Sequence, residues 1–236
     1  MVATYSLSDK CELLVGSSLF QNVPAAALEA LARYAKIKSF KNREEICRRG
    51  ELGSQLFIIA RGKVSLHTDS DDGKELGFGF MGAGDIFGEI AVLAGGERTA
   101  TVKAIEPTEI MVLEKRDLIP FLDKNPNVAI QLLATLAQRL RTTDEHFEDI
   151  FFRNLPGRLA KKFIDLARSY GEEVDDGVYI KLKLSQGEIG KLTGATRESV
   201  NKQMRAWENA GLIKCEKGFI TITDFDALED LSDEVA

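Results

Sequence analysis

The sequence predicts an α+β chain in three parts: an N-terminal antiparallel β-sandwich or barrel, one long helix, and a C-terminal winged helix-turn-helix. Three observations predict it. Short alternating apolar runs separated by glycine turns fill residues 35–115, an apolar repeat in steps of four and three follows residue 125, and a helix–glycine–helix pattern occupies residues 184–213. The parts are set at residues 1–124, 125–153 and 154–236.

The first part opens with a helical pattern over residues 13–31, with Pro24 starting a second helix that carries Leu28, Leu31 and Tyr34. Strands are then expected at 56–59, 63–67, 76–80 and 109–113. The turns at Arg61-Gly62, Asp71-Asp72-Gly73 and Gly82-Ala83-Gly84-Asp85 separate them. Within this part, residues 87–100 read F-G-E-I-A-V-L-A-G-G-E-R-T-A. Gly88 lets main-chain N–H groups approach an anion, and the start of a short helix adds a favourable dipole. Arg98 offers a planar fork for a phosphodiester oxygen. Glu89 suits a ribose hydroxyl, which it accepts from. One cation, one carboxylate and a glycine turn, with Thr99 and Ala100 following, suggest a pocket for a small cyclic nucleotide.

The long helix starts at Asn125-Pro126, a cap and a proline suited to a first turn. Ala129, Leu133, Leu136, Leu140, Thr143, Phe147 and Ile150 form a heptad seam that fits a two-stranded coiled coil, and hence a homodimer. Thr143 is a hydroxyl on that seam with Asp144 beside it. Either a purine edge partners them, or Thr143 fixes register while Asp144 faces water.

In the third part, Asn154-Leu155-Pro156-Gly157 reads as linker and helix cap, residues 158–170 as a helix, 171–177 as an acidic loop and 178–182 as a strand. Ser185 and Glu188 form a capping box, Gly194 suits a tight turn, and Thr196 caps the helix 197–210. On its first turns, Arg197 can bond both acceptors of a guanine, Glu198 can accept from a cytosine amino group, and Lys202 lies one turn on. Thr196 and Gln186 are phosphate-contact candidates. Residues 214–222 alternate around Gly218 as a two-stranded wing, and the acidic tail 224–234 should lie away from DNA.

Composition narrows the classes. With 236 residues, 44% hydrophobic and 29% charged, the chain is globular, and no apolar run approaches the roughly 20 residues of a membrane span. The N-terminus lacks a signal-peptide pattern, so a cytoplasmic protein without a membrane partner is expected. Three separated cysteines (Cys11, Cys47, Cys215) and two histidines (His67, His146) argue against a metal site or disulfide framework. No nucleophile–base set or phosphate loop points to an enzyme. The net charge of −6 does not oppose DNA binding, because the local face decides.

The cassette, seam helix and helix-turn-helix, in this order over 13–222, resemble the cyclic-AMP receptor protein and fumarate–nitrate regulator family of bacterial transcription factors. The resemblance implies that the N-terminal part is an antiparallel β-roll of jelly-roll type that binds a cyclic nucleotide, and that the chain is a dimer that binds double-stranded DNA when the nucleotide repositions its DNA-binding parts. It implies that Gly88, Glu89, Arg98, Thr99 and Ala100 hold ribose and cyclic phosphate, and that Thr143 meets the purine. It also implies that Arg197, Glu198 and Lys202 read a T-G-T-G-A half-site, and that the region 171–177 lies where relatives contact RNA polymerase.

Cyclic AMP is the first expected ligand. Two departures make cyclic GMP the second: Asp144 stands where Ser or Asn is common, and Thr99 where serine is common. The third base-reading position is usually arginine, so Lys202 relaxes that contact. A ligand-independent repressor of the same fold is the remaining alternative, but it would need no cassette arginine.

Overall fold

The computed structural model describes residues 5–21, 23–69 and 75–233; the expected turn at Asp71-Asp72-Gly73 lies outside them. The chain divides into two compact units, one holding most of residues 1–140 and the other 141–236 with the short piece 75–77, so the division falls inside the long helix.

In the first unit, two four-stranded antiparallel sheets form the β-roll. Strands β1 (Lys36–Phe40), β8 (Thr108–Glu114), β3 (Gln55–Arg61) and β6 (Ile86–Phe87) make one sheet in that order. The other runs β2 (Glu45–Cys47), β7 (Thr101–Ala104), β4 (Val64–Asp69) and β5 (Glu75–Met81).

The unbroken apolar run Leu56-Phe57-Ile58-Ile59 in β3 follows from burial on both faces, where alternation would fail. Phe57 and Ile59 pack between the sheets with Val64, Phe87, Val102, Ile110 and Val112. Leu56 and Ile58 point the other way, into a layer of helices with Leu14, Leu28, Leu31, Leu118, Phe121, Val128 and Leu132. These come from α1 (Leu7–Gly16), α2 (Ala25–Ala32), α4 (Lys115–Lys124) and the first turns of α5 (Pro126–Phe152).

Several expectations need correction. The first helix begins earlier, at Leu7, because Ser6 and Asp9 form a capping box there. Tyr34 lies beyond α2 and is 61% exposed. Strands β1, β2, β6 and β7 carry too short or too polar a pattern to announce themselves. The helix α4 forms despite the internal Pro120, because Leu118, Phe121 and Leu122 are buried and tertiary burial overrides propensity. Asn125 consequently closes α4, its side-chain amide donating to the Phe121 carbonyl at 2.8 Å, rather than capping α5 through its side chain.

The second unit contains α6 (Leu155–Tyr170), α7 (Gln186–Thr193), α8 (Arg197–Asn209) and α9 (Phe225–Asp233), with a four-stranded sheet. Its order is β11 (Ile213–Glu216), β12 (Phe219–Ile222), β10 (Gly177–Ile180), β9 (Gly171–Val174). The expected acidic loop is therefore largely a strand: Glu173 opposes Val178 and Glu172 opposes Tyr179. Its side chains are exposed at a sheet edge, which is why its polarity hid it. Of the acidic tail, Phe225–Asp233 form α9, which packs against α6 with Leu228 fully buried.

Candidate nucleotide cradle and DNA-binding face

The cassette folds as its residue types require. Gly88 takes φ +79° as the N-cap of α3 (Glu89–Leu93), a left-handed conformation that favours glycine. A Cβ there would meet Arg98 Nη1 at 2.5 Å, so the missing side chain also makes room for the guanidinium. Gly53 does the same from below, since a Cβ on it would stand 2.5 Å from the Ala91 Cβ and 2.9 Å from Arg98 Nε.

Arg98 is 6% exposed, with its guanidinium carbon 4.9 Å from the centre of the Phe57 ring and Nη1 donating to the Gly88 carbonyl at 2.9 Å. Burial lowers its pKa, and nearby Glu51 and Glu89 partly offset that. A desolvated cation on the main-chain bend is a strong attractor for an anion of matching fork geometry.

Glu89 is 2% exposed. The sequence reading missed its partner: Arg139 on α5 donates to Glu89 Oε1 at 2.5 Å and also to the Ile86 carbonyl. Glu89 Oε2 is buried with no hydrogen-bond partner among the described residues. A buried acceptor without a donor is costly, and a ribose hydroxyl is a donor of the right kind. Arg139 sits outside the apolar seam, and only its separation from Glu89 by 50 residues concealed it.

Thr99 is exposed and Ala100 half-buried, both next to Arg98 in the turn before β7. Thr143 and Asp144 are exposed on α5, one turn beyond Arg139. They belong to the second compact unit, so the cradle and the pair expected to meet the purine are two separate observations. Of the seam, Leu133, Leu140 and Phe147 are each 63% exposed and Ile150 43% in the single chain, whereas Val128 and Leu132 turn into the first unit's core. The first turns of the helix thus commit one face to the first unit's core, while the apolar face carrying the seam is uncovered.

In the second unit the helix-turn-helix forms as its caps dictate. Ser185 and Glu188 close a reciprocal capping box on α7, Gly194 ends it at φ +64°, and Thr196 caps α8 by accepting from the Ser199 N–H at 3.1 Å. Ile189, Leu192, Val200, Met204 and Trp207 are buried, with Trp207 edge-on to Phe163 of α6 at 5.9 Å. Arg197, Glu198 and Lys202 are all exposed on the first turns of α8. Gln186 donates to Asn201 at 2.9 Å, tying the start of α7 to the same helix.

A clasp absent from the sequence reading holds the start of this unit. Arg158 on α6 donates to the Thr193 carbonyl at the end of α7 (3.1 Å) and to the Arg153 carbonyl after α5 (2.8 Å). Asp149 of α5 binds Arg153 at 2.8 Å and Lys161 at 2.7 Å. Among the described residues no group of His, Cys, Asp and Glu side chains could hold a metal ion, and no helix is long and apolar enough to cross a membrane.

Residues 37–125 match the family model for the cyclic nucleotide-binding domain, and residues 157–231 match the Crp-like helix-turn-helix domain. The chain is 32% identical over 217 residues to the CRP-like cAMP-activated global transcriptional regulator of Mycobacterium tuberculosis H37Rv, covering 92% of this chain and 97% of that protein. A CRP-family transcriptional regulator from Thermus thermophilus superposes with TM-score 0.72 at 25% identity, covering 84% of this chain and 97% of that one. The c-di-GMP-responsive global regulator CLP of Xanthomonas campestris shares the fold (TM-score 0.76, 19% identity, 84% of this chain and 99% of that one).

Proposed function

The chain belongs to the CRP family of cyclic-nucleotide-binding, DNA-binding transcription regulators, which are not enzymes, and we propose that this member is a homodimer activated by cyclic AMP. The observation that carries the reading is Arg98, a buried cation on a glycine bend beside a carboxylate that has one oxygen unpartnered. The cyclic phosphate takes Arg98 and the main chain at Gly88 and Ala100. The ribose hydroxyl donates to Glu89, which Arg139 holds in place. The purine reaches Thr143 on the dimer helix.

The uncovered seam from Leu133 to Ile150 supports a second copy packed along α5. We keep residues 1–124, 125–153 and 154–236 as nucleotide-binding, dimerising and DNA-binding parts; the two family matches, 37–125 and 157–231, support this division. The exposed Arg197, Glu198 and Lys202 read a T-G-T-G-A half-site and its inverted repeat, while Thr196 and Gln186 stand near the phosphates. Nucleotide activates only by binding the DNA-competent arrangement more tightly than the other. Such a regulator works in the cytoplasm with its DNA, and RNA polymerase is the further partner we assign to the 171–177 region.

A specific residue favours a second reading. Asp144 is a carboxylate beside Thr143, and a carboxylate accepts from the N1–H and amino group of guanine. Cyclic GMP is therefore the second ligand, as sole or dual effector. Titrating each nucleotide against the protein with a labelled palindromic T-G-T-G-A site tests both readings. Cyclic AMP should tighten DNA binding at lower concentration; a lower midpoint for cyclic GMP would reverse the order, and no response to either would leave a ligand-independent repressor.

A further inference from the structure

Within the second unit, the end of α5 packs on α6 and α7 across a small cleft of about 50 Å³, between His146, Asp149 and Ile150 of α5, Arg158 and Lys162 of α6, and Thr193 of α7. That volume has room for a few waters. His146 is half-buried there, with its Nε2 shielded and without a hydrogen-bond partner among the described residues.

From this geometry we infer that the contact of the end of α5 with α6 and α7, inside the second unit, is a proton-sensitive joint. His146 is its titrating group: neutral imidazole keeps α5 docked, and protonation loosens the joint and weakens DNA binding. The inference rests on the CRP-type function proposed above, and deepens it by adding the proton as a negative effector.

The charges facing His146 support this. On α5 itself these are Glu145 and Asp149; from α6 come Arg158, Lys161, Lys162 and Asp165; α7 contributes Leu192 and Thr193, which carry no charge. Asp149, the acid best placed to steady an imidazolium, is already engaged by Arg153 and Lys161. Burial lowers the His146 pKa below the ordinary imidazole value of 6.5, and the neighbouring Lys162 lowers it further. Burial also lowers the Lys162 pKa, so the ammonium opposite is itself short of solvation.

The sign follows from linkage. A histidine whose docked-state pKa lies below its free value binds fewer protons docked than undocked. Docking is therefore fully supported above about pH 6.5 and weakens as pH falls through the docked-state pKa. The joint lies on the segment through which any signal along α5 must reach α6, and Arg158 clasps both sides of it.

The test uses the full-length protein at constant ionic strength between pH 8 and pH 5.5. Amide hydrogen exchange in residues 141–170 reports docking without any nucleotide or DNA. Anisotropy of a labelled T-G-T-G-A palindrome at saturating cyclic AMP reports DNA affinity. The chain has only two histidines, so an NMR titration resolves His146 from His67. On acidification the wild-type protein should exchange faster in this segment and bind DNA more weakly, by a factor on the order of ten per unit of pKa displacement, both tracking the His146 titration. His146→Gln should flatten both profiles, and Lys162→Met should raise the His146 midpoint. An equal pH dependence in His146→Gln, or exchange that changes while DNA affinity does not, overturns the inference. Absence of any nucleotide response at pH 8 would instead overturn the proposed function, with the exchange profiles still deciding the joint.

Discussion

Arg139 and Glu89, 50 residues apart in sequence, form an ion pair at 2.5 Å in which the carboxylate is almost wholly buried and the guanidinium is about one-third exposed. The long helix thus supplies the cation that neutralises the cassette's carboxylate. Arg139 uses only one carboxylate oxygen, and the second stays available to a donor.

The asymmetry of burial predicts unequal variants. Arg139→Met strands a buried carboxylate and should destabilise the first unit by about 3–5 kcal/mol. Glu89→Gln removes the buried charge, leaves Arg139 partly solvated, and should destabilise less while weakening nucleotide binding. Denaturant melts of both variants and the double variant check this; equal destabilisation by the two would mean that the pair is not positioned as described.

Arg98→Leu should leave the β-roll folded and reduce nucleotide affinity at least tenfold, by loss of a charge-assisted contact of about 1.5–3 kcal/mol. Calorimetry alongside circular dichroism is the measurement. Unchanged affinity in a folded variant would remove Arg98 from phosphate binding.

Asp144→Asn keeps the shape and removes the anion. Cyclic GMP affinity should fall more than cyclic AMP affinity, because guanine presents two adjacent donors, N1–H and the 2-amino group, to one carboxylate, whereas adenine presents a single amino donor beside an acceptor nitrogen. Competition titrations read the ratio, and a parallel change for both nucleotides would take Asp144 out of base recognition.

On the DNA side, Arg197→Ala should relax discrimination at a single guanine by about 1–3 kcal/mol. Binding to a panel of sites substituted at each half-site position measures it. Uniform weakening across the panel would make Arg197 a phosphate contact.

The features legible in the sequence are those whose cause is local. Ser185 with Glu188, Asn154 with Gly157, and Thr196 with Ser199 form caps within three residues of chain, so their spacing announces them. The cassette was legible for the same reason: Gly88 and Arg98 are ten residues apart and touch in the fold. The seam was legible because a helix repeats its face every seven residues.

By itself, then, the sequence determined the order of parts, the caps, the cassette and the residues exposed on α8. Tertiary structure alone decided the pairings of β1, β2, β6 and β7, and it held α4 in helix despite Pro120. It also turned the acidic stretch at 171 into an edge strand, and joined Arg139 to Glu89 and Arg158 to Thr193. The physical reason is distance along the chain. Residues that meet across 35 or 50 positions leave no periodicity or spacing to read, and short polar strands gain their order from partners rather than from their own propensity.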